Sequence, residues 1–260
     1  MDIRLNGKTA LVCGSTQGIG NAAAQVLASM GASVILLARN KEKLEQAIKL
    51  LPVVEDAQHS YLVADFADVN SVKAAVDLLK DRTINILINN TGGPPSGPIV
   101  TAKSEEFLQA FNNHLICNHL LTQAVIPGMK SSGYGRIINV ISTSVKIPLK
   151  NLGVSNTIRA AVANWSKTMA NELASFQITV NNVLPGATHT QRLQSIMETK
   201  SANTKTDFDE VQQEMINEIP MKRFAKPEEV ANAIAFLASP SASYITGINI
   251  PVDGGRTGSL

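Results

Sequence analysis

The run Thr9-Ala10-Leu11-Val12-Cys13-Gly14-Ser15-Thr16-Gln17-Gly18-Ile19-Gly20 decides how this chain folds. Its first five residues are apolar or β-compatible and too few for a helix, so they read as a buried strand. Glycines then follow in G-x-x-x-G-x-G spacing, and a helical pattern of small and apolar residues runs on through 19–30. Glycine lets the backbone turn sharply and bring its N–H groups close to a pyrophosphate, and the helix that follows aims its positive end at the same charge. An ordinary strand-to-helix turn shares the pattern, but its position between the first strand and the first helix favours a phosphate site. Gly14, Ser15, Gln17, Gly18, Ile19 and Gly20 are the expected cofactor contacts.

Outward from that run, strand patterns at 33–38, 60–64, 84–89, 136–141, 179–184 and 249–252 alternate with helical patterns at 41–50, 69–80, 104–130, 155–176 and 227–237. Alternation of this kind builds βαβ units and a parallel sheet. The expected architecture is an α/β, doubly wound Rossmann fold: a single domain over residues 1–260 with a seven-stranded parallel sheet. One stretch, 186–220, is polar and holds two short helices where a tight connection would suffice, which marks it as a substrate loop beyond the carboxyl end of a strand.

Composition narrows the function classes. Of 260 residues, 44% are hydrophobic and 17% charged, and the formal net charge of +2 is spread without a basic run. No footprint for nucleic acid or an anionic membrane follows from that balance. The first eight residues carry charges and lead straight into an apolar strand, so a cytoplasmic protein is expected. Cys13 and Cys117 are the two cysteines; without metal-type spacing they read as reduced, buried side chains, and no metal site is expected.

The second strand ends at Ala38-Arg39-Asn40, where an acidic residue would accept hydrogen bonds from an adenosine ribose. A guanidinium there can hold a 2′-phosphate, so NADP(H) is expected in preference to NAD(H). Further along, Asn89 and Gly92 close the fourth strand, where an amide can bond a ribose hydroxyl and a glycine can admit the ribose. Pro185-Gly186 ends another strand and sets the exit into the substrate loop.

Together with Asp65-Phe66 after the third strand, Asn89-Asn90-Thr91-Gly92, Gly135 to Ser142, Pro185-Gly186 with Thr188 and Thr190, and the closing Pro251-Val252-Asp253-Gly254-Gly255, the glycine run resembles the short-chain dehydrogenase/reductase family. The 3-oxoacyl-acyl-carrier-protein reductase-like group is the nearest in flavour. The resemblance spans the chain. It implies adenine contact at Asp65 and Phe66, nicotinamide-side contact at Pro185, Gly186, Thr188 and Thr190, and a homo-oligomer, tetramer or dimer, with 104–130 and 155–176 in one interface. It also implies a small-molecule carbonyl or alcohol as substrate.

The same resemblance exposes a divergent tetrad. Family members use a Ser to polarise the carbonyl, a Tyr as proton donor, a Lys that lowers the Tyr pKa, and a helix Asn holding a relay water. Ser142 matches the Ser, but Ser155-Asn156-Thr157-Ile158-Arg159 stands at Y-x-x-x-K, and His114 stands at the helix Asn. An alkyl hydroxyl is a far poorer acid than a phenol of pKa ~10, and Arg does not deprotonate at ordinary pH. His114, with an ordinary pKa near ~6.5, is the expected replacement acid, and a hydrogen-bonded core histidine is the competing reading. Arg159 would orient the nicotinamide ribose or stabilise negative charge. Two functions follow: an NADP-dependent oxidoreductase with an atypical proton donor, or a catalytically silent NADP-binding protein serving as redox sensor or as the inactive subunit of a mixed oligomer.

Overall fold

The computed structural model describes residues 1–259. Seven strands, β1 Thr9–Cys13, β2 Ser33–Ala38, β3 Ser60–Val63, β4 Ile86–Asn89, β5 Gly135–Val140, β6 Ile178–Pro185 and β7 Asn249–Val252, form one sheet in the order β3-β2-β1-β4-β5-β6-β7. All neighbours are parallel. The chain reverses its winding between β1 and β4, and a crevice opens there at the carboxyl ends of the strands.

Both faces of the sheet are covered, which is why the strands read as continuous apolar runs. Val12, Leu36, Ile88 and Ile138 point to one layer, packed by helices α1 Gly18–Ser29, α2 Lys41–Lys49 and α9 Pro227–Ala238. Leu11, Ile35, Leu87 and Ile137 point to the other, packed by α3 Val69–Asp77, α5 Cys117–Ser132 and α6 Gly153–Leu173. Each fully buried leucine contributes about 2 kcal/mol of transfer free energy, so the two layers together hold the crevice rigid.

Several element ends shift from the sequence reading, α3 stopping at Asp77 among them, and three departures show a local cause. The fourth strand starts at Ile86 rather than at 84, because Asn85 accepts the Thr9 N–H through its side chain at 3.0 Å and donates to Ser132 Oγ at 3.2 Å. The expected helix over 104–130 is broken into α4 Ser104–Phe111 and α5 by a π-helical turn at Asn112–Ile116. Helix α6 begins two residues early, at Gly153, where a Cβ would lie 2.5 Å from Ile99 Cβ.

A polar ladder crosses the sheet on the α6 side. Asn89 donates to Asn139 at 2.9 Å, Asn139 to Asn182 at 3.0 Å and Asn182 to Asn249 at 2.7 Å, each residue facing its partner in register. Asn139 also donates to Ser166 Oγ on α6 at 3.1 Å. Buried amides must be bonded, and in-register asparagines bond one another.

Candidate active site

The glycine run forms the cradle expected of it. Gly14 and Gly18 have φ of +59° and +56°, which a side chain would strain. A Cβ on Gly20 would meet the Gly14 carbonyl at 2.2 Å, so α1 packs directly on the turn that precedes it. Gln17, the N-cap of α1, provides no side-chain cap. The first N–H groups of the helix therefore remain available to an anion, and the residues fit a dinucleotide pyrophosphate. Asn90 stitches the cradle to β4, its Nδ2 lying 3.2 Å from the Cys13 carbonyl and 3.3 Å from that of Gly14. Ser15 is fully buried and its hydroxyl faces the Leu37 carbonyl at 3.5 Å.

Arg39 lies exposed just beyond β2 and forms no ion pair among the described residues, as a 2′-phosphate ligand should. Asp65 holds its own turn through the Ala67 N–H at 3.0 Å, and the Phe66 carbonyl accepts the Cys117 thiol. Asn89 is 1% exposed; its Nδ2 donates into the sheet ladder, and its Oδ1 has no partner among the described residues. Gly92 has open space where a Cβ would stand, which leaves that face free for a ribose. At Gly186 the backbone φ is ordinary; glycine is required because a Cβ would lie 2.7 Å from Asp253 Cα, so close packing on the exit of β7 replaces the expected conformational freedom.

Residues 186–220 carry two helices, α7 Gln191–Thr204 and α8 Phe208–Asn217, with an apolar cluster of their own built on Leu193, Met197 and Val211. Thr188 donates to the Gly186 carbonyl at 3.1 Å. Thr190 caps α7 through the Leu193 N–H, and its methyl group lies 3.1 Å from the position of a Cβ on Gly18. The first turn of α7 thus stands directly against the phosphate cradle.

The altered tetrad is distributed over the segment after β5, helix α6 and the π-helical turn. Ser142 is half-buried; its Oγ accepts the Ser144 N–H at 3.1 Å, and its proton has no acceptor among the described residues. Ser155 is buried in the first turn of α6, one helical turn from Arg159, and its hydroxyl makes no hydrogen bond among the described residues. Arg159 is 6% exposed and donates to the Val140 carbonyl at 3.1 Å and the Thr91 carbonyl at 3.4 Å, tying the ends of β5 and β4 together. Burial, and then the charge of Arg192, push its pKa down to about 10, so the guanidinium stays charged at neutral pH.

His114 sits in the π-helical turn, 1% exposed, with Nδ1 2.5 Å from Thr91 Oγ1. Burial first, and then the charges of Arg159 and Arg192, hold its pKa well below 6.5. The expectation that it titrates near neutrality is therefore corrected: the imidazole is neutral at pH 7, and it reaches the crevice through the half-buried Thr91. Sequence reasoning missed two residues. Thr91 figures in the sequence only within Asn89-Asn90-Thr91-Gly92. Arg192, half-buried, donates to the Pro94 carbonyl at 2.6 Å. One signal was available for Arg192, because a cation in the first turn of a helix opposes the helix dipole and calls for another reason to be there.

A cradle, an open face at Gly92 and a donor set at the ends of β4 and β5 define a dinucleotide-binding oxidoreductase site. The family model described as enoyl-(acyl carrier protein) reductase matches residues 14–257. The 3-oxoacyl-[acyl-carrier-protein] reductase of Vibrio harveyi is 34% identical over 257 residues, covering 97% of this chain and 98% of that one. Among solved structures, L-sorbose reductase from Gluconobacter frateurii, complexed with NADPH and L-sorbose, superposes with a TM-score of 0.92 at 32% identity over all of both chains. YwfH, an NADPH dependent reductase involved in bacilysin biosynthesis, gives 0.91 at 30% identity over 97% of this chain and 99% of its own. The chain belongs to the short-chain dehydrogenase/reductase family of NAD(P)-dependent oxidoreductases.

Proposed function

We propose that the chain is an NADP(H)-dependent reductase of a small carbonyl compound, or in reverse an alcohol dehydrogenase, that replaces the phenol of its relatives with a Thr91–His114 pair. The 2.5 Å contact between Thr91 Oγ1 and His114 Nδ1, at the lip of the crevice, is the observation that carries this reading. Support for NADP(H) comes from the unpaired Arg39 beyond β2 and from the two solved neighbours, one NADPH dependent and the other complexed with NADPH. Bound NADPH supplies the hydride.

The residues of this chain do the rest. Ser142 donates its free hydroxyl proton to the substrate oxygen and polarises the carbonyl. Arg159, fixed by the carbonyls of Val140 and Thr91, holds the nicotinamide-side ribose and stabilises negative charge arising on the oxygen. Hydride transfer leaves an alkoxide, basic enough to take the proton of Thr91 Oγ1; the Nδ1–H of neutral His114 replaces that proton while its Nε2 takes one up from water, so the imidazole changes tautomer and stays neutral. Ser155, adjacent on α6, fixes the orientation of the bound oxygen and is not the acid. Segment 186–220 closes over the substrate. A cytoplasmic location and a homo-oligomer, dimer or tetramer, complete the reading.

The second reading, a silent NADP-binding sensor or inactive subunit, is favoured by one observation: no side chain brought together here titrates near neutrality. Paired substitutions separate the two. Thr91→Val and His114→Gln should each lower turnover by about 10²-fold while leaving NADPH affinity within a factor of about two, and the double variant should lose little more than either alone. Undiminished turnover in both variants would remove the pair as proton donor.

A further inference from the structure

We propose that Arg159 and Arg192 form a two-guanidinium clamp for a carboxylate on the substrate, so that the carbonyl compounds taken by this site are oxo acids rather than neutral ketones or sugars. The inference rests on the reductase reading and names its substrate class.

Both side chains are anchored to one short loop. Arg159 donates to the carbonyl of Thr91 and Arg192 to that of Pro94, three residues further on, so the loop over 91–94 draws a charge from α6 and a charge from α7 to the same lip of the crevice. Arg192 also lies across Gly93, where a Cβ would stand 3.4 Å from its Nη2. Neither guanidinium has an ion-pair partner among the described residues. Each uses backbone carbonyls, which leave most of its five N–H donors uncommitted.

Two buried or half-buried cations tied to one short loop without a carboxylate partner are costly in a folded chain. Arg192 lowers the pKa of both Arg159 and His114. An anion entering between them removes that repulsion and takes up the free donors in bidentate fashion. Position argues for substrate as its source. Arg159 stands one helical turn from Ser155 and ties to Val140, two residues before Ser142, so the anion would lie beside the carbon that receives hydride. The fixed charge on α7 also links binding to closure of residues 191–204 over the site.

The cofactor's own pyrophosphate carries the same chemistry, and the experiment separates the two sources. The NADPH complex is titrated calorimetrically with phenylpyruvate, 2-oxobutyrate and oxamate, and with the methyl esters of the two oxo acids. The acids should bind at least about tenfold more tightly than their esters, as a charge-assisted pair requires. Arg192→Gln should erase that preference with unchanged NADPH affinity, and Arg192→Lys should restore part of it; the melting temperature of each variant confirms folding. Equal binding of acids and esters would overturn the clamp. So would weakened NADPH binding in Arg192→Gln with the acid preference intact, because the anion would then be the pyrophosphate. Tight acid binding without turnover supports the clamp and sinks the reductase reading, whereas turnover of neutral carbonyls without acid preference does the reverse.

Discussion

Arg39 and His114 carry opposite lessons about single residues. Arg39 is legible in sequence because its meaning depends on one neighbouring strand end, and the structure leaves it exposed and unpaired there. Arg39→Ala should therefore bring the NADPH dissociation constant close to that of NADH in a fluorescence titration, a loss of roughly tenfold or more in selectivity. His114 is legible as a position but not as a state. Its neutrality depends on burial and on Arg159 and Arg192, which stand 45 and 78 residues away in sequence. The unfolded imidazole takes a proton near 6.5, and the folded one resists it to a lower pH. Between those limits the unfolded state binds more protons, so stability falls as pH drops below about 6.5. A melting series from about pH 8 to about pH 5 should show that fall, and His114→Gln should flatten it. An equal slope in the variant would mean that the histidine is not held neutral by the fold.

Elements were read well where periodicity governs them and poorly where a local defect does. The helical pattern over 104–130 is continuous, and nothing in it marks the π turn at 112–116, where His114 meets Thr91 of the loop after β4. The bond of Asn89 was hidden for a related reason, since its partner Asn139 arrives from strand β5, fifty residues further along the chain. The extra length at 186–220 was legible, and its hinge is now visible: Lys205 has φ of +55° between α7 and α8. Trypsin should cut first after Lys205 in the free protein, and NADPH with a bound oxo acid should slow that cleavage severalfold. Cleavage indifferent to ligands would make the segment a passive insertion.

At the scale of the whole molecule the strand order follows from the alternation of elements, because parallel crossovers of one hand leave few alternatives. Association is less determined by pattern. Leu108 and Phe111 on α4 stay 65% and 39% exposed, and Val100 88%, apolar surface of the kind that a second copy would cover. Light scattering should give a dimer or tetramer, and Leu108→Lys should shift it toward smaller species; a monomer at all concentrations would contradict the assembly.

The central claim is that an altered tetrad still reduces a carbonyl with NADPH. It is tested most directly by following NADPH absorbance while the unmodified protein meets a panel of oxo acids and neutral carbonyls, with NADPH binding measured on the same sample. The account predicts tight binding and steady oxidation with at least one oxo acid, lost by about 10²-fold in Ser142→Ala. Tight NADPH binding with no oxidation across the panel would contradict it and establish a silent dinucleotide-binding protein in its place.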